Sequence, residues 1–247
     1  MVFRDRADAG RRLAQRLHGY ANRPDVIVLA LPRGGVPVGY EVARALGAPL
    51  DVFLVRKLGY PGQEEFAFGA IASGGVRVLN MNLLRRFHVP DATVEAIAAR
   101  ELRELERRET AYRGSTAPPS VRGRTVVLVD DGVATGSTMR AAAAALRRMD
   151  PARIVVAVPV GAADSCRDFG EVVDEVVCAE TPAPFQAVGQ WYDDFPQTTD
   201  DEVRELLERA RAERSRKAKN RRGYEGADPD RRKGVVHSLE QPPLSSR

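Results

Sequence analysis

The fold class this chain predicts is α/β: an open, mostly parallel twisted sheet flanked by helices. Three observations predict it. Short continuous apolar runs recur at 26–31, 125–129 and 153–158, as strands buried on both faces require. Segments of helical periodicity follow them at the spacing of βα units. The unusual loops, at 32–35, 56–75, 130–137 and 159–161, all follow strands, and ligands bind such sheets at the carboxyl ends of the strands.

The elements follow in order. Residues 5–20 read as an amphipathic helix with Leu13, Leu17 and Tyr20 on one side. Val26–Leu31 is the first strand, broken by Pro32-Arg33-Gly34-Gly35, and Val36–Leu46 is the next helix. Asp51–Val55 reads as the second strand, ending in Arg56 and Lys57. Residues 58–79 are glycine-rich, with a weak alternation around Phe66, Phe68 and Ala70, and suggest a flexible arm or hairpin. A long helix is expected over 91–111, where Val94, Ile97, Ala98, Leu102 and Leu105 recur at helical spacing. A linker at 116–123 leads to the third strand, 125–129, and an alanine-filled helix at 137–149. Further strands are expected at 153–158 and 172–177, with a short helix at 162–169 between them. A loop at 181–200 carries the single tryptophan, and a charged helix at 201–218 ends the body.

Composition bounds the function classes. The 247 residues are 43% hydrophobic and 29% charged, as in a soluble globular protein. No apolar run reaches 18 residues, so membrane insertion is not expected, and no apolar stretch follows the charged start as in a secretory signal. Cys166 and Cys178 are too few for a disulfide framework. Both read as packed thiols, and a cytoplasmic location is expected. His18, His88 and His237 lack metal-ligand spacing to one another.

Charge is uneven. Residues 214–247 hold ten basic side chains against four acidic ones, so this segment is net +6, and the rest, within a total of +4, is net −2. The basic character therefore belongs to the tail. That tail is expected to be disordered and able to contact nucleic acid non-specifically through phosphate charge. No DNA-reading helix-turn-helix signature accompanies it.

The chemistry concentrates in Val126-Val-Leu-Val-Asp130-Asp131-Gly132-Val133-Ala134-Thr135-Gly136-Ser137-Thr138. Two carboxylates stand at the exit of a buried strand. A turn with two glycines and three hydroxyls follows and opens a helix. Glycines let backbone N–H groups converge, and the helix start adds unsatisfied donors and a positive dipole end. Such a cradle suits a phosphate monoester. Adjacent carboxylates repel unless held, and a cis-diol holds them by donating two hydroxyls. Ser137 stands where a P-loop needs lysine, and no GxGxxG follows a strand, so neither nucleotide-binding rival fits.

This segment resembles the binding motif for 5-phosphoribosyl 1-diphosphate (PRPP) of the type I phosphoribosyltransferases, and the resemblance covers about residues 20–200. It implies that Asp130 and Asp131 bind the ribose hydroxyls and that Gly132, Val133, Ala134, Thr135, Gly136, Ser137 and Thr138 bind the 5′-phosphate. Arg33, Gly34 and Gly35 fall in the pyrophosphate loop, where relatives often carry a non-proline cis peptide, here expected at Arg33-Gly34. Of Arg56 and Lys57, Lys57 is the better candidate for the diphosphate. The arm at 57–79 resembles a mobile lid, with Glu64 and Glu65 as candidates for cation or ribose handling. Residues 181–200 resemble the hood over the acceptor, with Phe185, Trp191 and Tyr192 as stacking surfaces and Asp193 and Asp194 as candidates for a base edge.

The resemblance makes 1–213 one domain, with 214–247 as the tail. It implies transfer of phosphoribosyl from PRPP to a nitrogenous acceptor, a nucleobase above all, with Asp130, Asp131, Arg33 and Lys57 as catalytic candidates. Mg²⁺ is expected to bind through the substrate rather than a protein cage, and a homodimer is plausible. Ala134 replaces the acid, and Pro159-Val160-Gly161 the lysine, that relatives using 6-oxopurines carry, which weakens a hypoxanthine or guanine assignment. Two alternatives stay open: a PRPP-binding regulatory protein with little or no catalysis, and a phosphate-ester hydrolase.

Overall fold

The computed structural model describes residues 3–60 and 63–225, with side chains described throughout except at 63–66 and 218–225. Helix α1, Arg6–Arg16, is capped by Asp5, whose side chain accepts from the Asp8 N–H at 2.6 Å. Strand β1, Val26–Ala30, leads into α2, Gly35–Leu46, and β2, Leu50–Val52. After an inserted sheet come α3, Met81–Arg86, and α4, Asp91–Arg113. Then follow β6, Thr125–Val129; α5, Ser137–Arg147; β7, Arg153–Val160; α6, Ala163–Asp168; β8, Glu175–Glu180; and α7, Asp200–Glu225.

The main sheet is parallel throughout, in the order β2-β1-β6-β7-β8. Its strand residues alternate between two apolar layers, as a period of two requires. Val28, Ala30, Val127, Val129, Val155 and Ala157 face α1, α2, α4 and α7. Ile27, Leu29, Val126, Leu128, Ile154 and Val156 face α5, whose small Ala142, Ala143 and Ala145 let the helix lie close. One register detail positions the site. Ala30 pairs with Val129, so β1 and β6 end level and their two loops leave the sheet side by side.

The glycine-rich arm is a three-stranded antiparallel sheet of β3, Val55–Tyr60; β4, Gln63–Ala72; and β5, Val76–Leu79. This corrects the expected second strand, which ends at Val52. Arg56 and Lys57 belong to β3. The chain crosses between sheets where the N–H of Leu54 donates to Ser73 Oγ and the N–H of Ser73 donates to Leu54 O, both at 2.9 Å. Those bonds satisfy the backbone that a continuous strand would have paired in the main sheet.

Arg113 ends α4 over β2. Its Nε donates to Asp51 Oδ1 at 2.9 Å and Nη2 donates to Val52 O at 2.7 Å, with both side chains buried. Removing one partner strands the other's charge. Arg113→Leu is expected to cost about 3–5 kcal/mol in urea denaturation, and Asp51→Asn in the same background to recover much of it.

The cysteines also depart from expectation. Cys166 and Cys178 form a disulfide with Cα atoms 6.5 Å apart. The β7–α6–β8 crossover lays α6 beside β8, a neighbour relation that sequence spacing does not reveal. Helix α7 continues to Glu225, so residues 214–225 of the expected tail are helical, and 226–247 lie outside the described residues. Among the described residues, no helix is long and apolar enough to cross a membrane.

Candidate functional site

The loops after β1 and β6 meet at the mouth of the sheet. The first is anchored by the Leu31 N–H donating to Val129 O at 2.8 Å and the Gly35 N–H donating to Leu31 O at 3.1 Å. Its cis peptide is Pro32-Arg33, one bond earlier than the Arg33-Gly34 expected. Gly34 and Gly35 are there for space. A methyl group on Gly34 would land in the Asp131 carboxylate, and one on Gly35 would lie 2.9 Å from Asp130 Cα and from Val129 O.

The acid pair is thus walled in by the first loop. Asp130 Oδ1 accepts from the Asp131 N–H at 2.8 Å. Burial, then the neighbouring Asp131, pushes the Asp130 carboxyl well above the usual carboxylate range. Burial raises Asp131 as well, against the pull of Arg6. Arg6 Nε donates to Asp131 Oδ2 at 2.9 Å. The Tyr192 hydroxyl donates to Asp131 O at 2.5 Å.

Beyond the pair, Val133 is pinned on both sides: its N–H donates to Val160 O at 3.0 Å and its carbonyl accepts from the Ala162 N–H at 2.9 Å. Ser165 Oγ donates to Ala134 O at 2.5 Å. Gly136 turns at φ 71°, a left-handed conformation that favours glycine. Thr135, Ser137 and Thr138 are left exposed around the start of α5. The arrangement is an outward-facing nest of hydroxyls and helix-start amides beside two carboxylates.

The remaining sequence candidates fall at different distances from this centre. Arg33 stays half-exposed at the mouth, its Nη1 3.8 Å from Asp200 Oδ1, and Asp200 also accepts from Tyr112 at 2.8 Å. Lys57 is exposed and has no ion-pair partner among the described residues. It lines a groove of about 770 Å³ shared with Phe68, Met81, Ser137 and Ala141, so the arm faces the start of α5. Arg56 is committed elsewhere, donating to the buried Glu101 at 2.5 Å. The side chains of Glu64 and Glu65 lie outside those described.

In the 181–200 segment, Phe185 and Trp191 stack on each other at 6.3 Å. Tyr192 does not offer a stacking face. Its ring is buried, tilted against Phe3 at 5.5 Å and Phe195 at 4.8 Å. The reason is its hydroxyl, which ties the segment to Asp131. Asp193 and Asp194 are exposed, and their backbone N–H groups donate to Phe3 O and Arg4 O. Sequence reasoning missed Arg6, which reaches Asp131 across 125 positions; a charged residue at a helix start gives no local signal of that. Among the described residues, no group of three or more His, Cys, Asp and Glu comes together as a metal cage.

The family model described as "Phosphoribosyl transferase domain" matches residues 3–187. The chain belongs to this family. Two proteins named "Putative phosphoribosyl transferase", from two strains of Mycobacterium tuberculosis, are each 51% identical over 209 residues, covering 85% of this chain and 47% of theirs. The chain therefore spans about half the length of these curated relatives. The crystal structure of TT1426 from Thermus thermophilus superposes with a TM-score of 0.75 at 45% identity, over 84% of this chain and 98% of that one. The open parallel sheet described above is thus a phosphoribosyl transferase fold. Its family match begins at residue 3, so the Phe3–Arg6 stretch lies within the phosphoribosyl transferase domain.

Proposed function

We propose that this chain transfers the phosphoribosyl group of PRPP to a nitrogenous acceptor of the nucleobase type and releases pyrophosphate. One observation carries the reading: the acid pair sits between the Arg33–Gly35 loop and the Gly132–Thr138 nest, with the latter open to solvent. Asp130 and Asp131 accept from the ribose hydroxyls. The nest and its helix start hold the 5′-phosphate. The Arg33–Gly35 loop and Lys57 face the diphosphate from two sides.

The bond from the anomeric carbon to the diphosphate oxygen breaks, and the oxygen keeps the electron pair. The nitrogen lone pair forms the new bond, and its proton passes to solvent. Positive charge builds on the ribose in between, close to the carboxylates that offset it. Mg²⁺ would be held mainly by the phosphates of PRPP and would supply charge neutralisation for the leaving group; among the described residues no three His, Cys, Asp or Glu side chains gather as a cage. Phe185 and Trp191 are the acceptor-side surfaces. Both are aromatic, and a flat base stacks on such rings.

Calorimetric titration with PRPP and Mg²⁺, followed by a base panel scored for pyrophosphate release, tests this reading. Saturable PRPP binding and release with at least one base are expected. Binding without release on any base favours a PRPP-responsive regulator. Failure to bind PRPP overturns the site.

A further inference from the structure

Arg6 is held at three points. Its Nε donates to Asp131 Oδ2 at 2.9 Å, Nη1 donates to Pro196 O at 2.7 Å, and the guanidinium lies 3.8 Å from the centre of the Phe195 ring. Its side chain is 11% exposed and that of Asp131 is 16% exposed. The start of the chain is held by the same segment. Phe3 pairs with Tyr192 in a parallel bridge, and its N–H donates to Trp191 O at 2.8 Å. The start of the chain and residues 191–196 therefore form one clamp, closed on the acid pair.

We propose that Arg6 is a positioning residue that holds the Asp131 carboxylate, as its anion, against the Arg33–Gly35 loop, so that its second oxygen faces the ribose diol. This rests on the PRPP reading above. The same Oδ2 atom that accepts from Arg6 is the one that fills the space in front of Gly34. Arg6 engages Oδ2, and the neighbouring Asp130 carboxyl and the Asp131 N–H also interact with this side chain. Oδ1 is the oxygen assigned to the diol.

The charges around Asp131 decide how the role is tested. Arg6 faces it from α1, Asp130 from the same strand exit and Tyr192 from the 191–196 segment; the Arg33–Gly35 loop presents the uncharged backbone of Gly34, with Arg33 directed toward Asp200. Arg6 is thus the cation that offsets the burial of Asp131. Without it, burial is left to favour a protonated Asp131. A protonated carboxyl regains its anion as pH rises, so the loss of Arg6 weakens PRPP binding most at low pH. A purely structural role weakens it equally at every pH.

The test is the dissociation constant for PRPP with Mg²⁺ from about pH 6 to about pH 9, for the wild-type chain, R6Q and R6K. For R6Q, a loss of about tenfold near pH 6 that shrinks to under about threefold near pH 9 is expected. R6K keeps the charge but not the planar fork, so its pH dependence should match wild type with affinity about threefold weaker. Equal R6Q and wild-type affinities, or an R6Q loss that does not change with pH, overturn the proposal. If R6Q does not fold, R6K decides: affinity equal to wild type overturns it, and reduced affinity with the wild-type pH dependence supports it. A wild-type chain that binds no PRPP at any pH overturns the PRPP reading itself, and this proposal with it.

Discussion

Asp130→Asn is expected to remove most of the affinity for PRPP while making the fold more stable. The affinity loss follows from chemistry. A carboxylate accepts from a ribose hydroxyl with charge assistance, a bond worth about 1.5–3 kcal/mol, so binding should weaken roughly 10- to 100-fold. The stability gain follows from linkage. Burial and Asp131 hold the Asp130 carboxyl above its ordinary range in the fold. A carboxyl raised in this way contributes stability that is complete below its unfolded value and is lost as pH rises through its folded value. Above the ordinary carboxylate range the cost of placing a charge there therefore works against the fold. Asparagine removes that charge, and its Oδ1 can still accept from the Asp131 N–H, as Asp130 Oδ1 does at 2.8 Å. Calorimetric titration should show the weaker binding. A thermal melt at pH 8 should rise by about 2–4 °C, the change that about 1 kcal/mol gives in a chain of this size. An unchanged or lower melting point would overturn the reading of Asp130 as a carboxyl whose burial costs stability.

Gly34→Ala is expected to have a comparable effect on binding from a single added methyl group. The backbone at Gly34 is ordinary, at φ −60° and ψ −31°, so alanine meets no torsional objection. Space decides. The methyl would overlap the Asp131 carboxylate, which cannot swing away without leaving Arg6, and Arg6 is fixed by Pro196 and Phe195. Either the first loop moves outward or the Asp131–Arg6 pair breaks. Overpacking of this kind costs about 1–3 kcal/mol, and either response takes the loop or the acid out of register with PRPP. Gly19→Ala and Gly170→Ala are the controls, because an added methyl at those positions meets nothing within 4 Å. They should bind PRPP like wild type.

What the sequence made legible is contiguous. From Val126 to Thr138, strand, acid pair, nest and helix start lie in one run, so composition and spacing suffice to place them. The two apolar layers were equally readable, because a strand buried on both faces announces itself by an unbroken apolar run. What stayed hidden depends on neighbours far apart in the chain. The Arg6–Asp131 pair, the Cys166–Cys178 bond and the Tyr192 hydroxyl on Asp131 each join elements that only the folded topology brings together. The arm is legible only in outline. Its glycines and short apolar alternation suggest an arm or hairpin, and β3, β4 and β5 pair into a sheet braced by the Arg56–Glu101 bond, a contact between segments far apart in the chain. The strand boundary at Val52 was lost because Phe53, Leu54 and Val55 continue the apolar run while the backbone changes sheets.

The bridge between Phe3 and Tyr192 has a consequence for how the molecule is made. Phe3 and the strip it docks on, at Tyr192, lie about 190 positions apart in the chain. Closing so long a loop is slow relative to local folding. The parallel sheet can assemble while Arg6 is still unanchored, so the two aspartates spend part of biogenesis without their cation. On the role proposed for Arg6, the carboxylate pair reaches its binding geometry only once Phe3–Arg6 and residues 191–196 are sewn together.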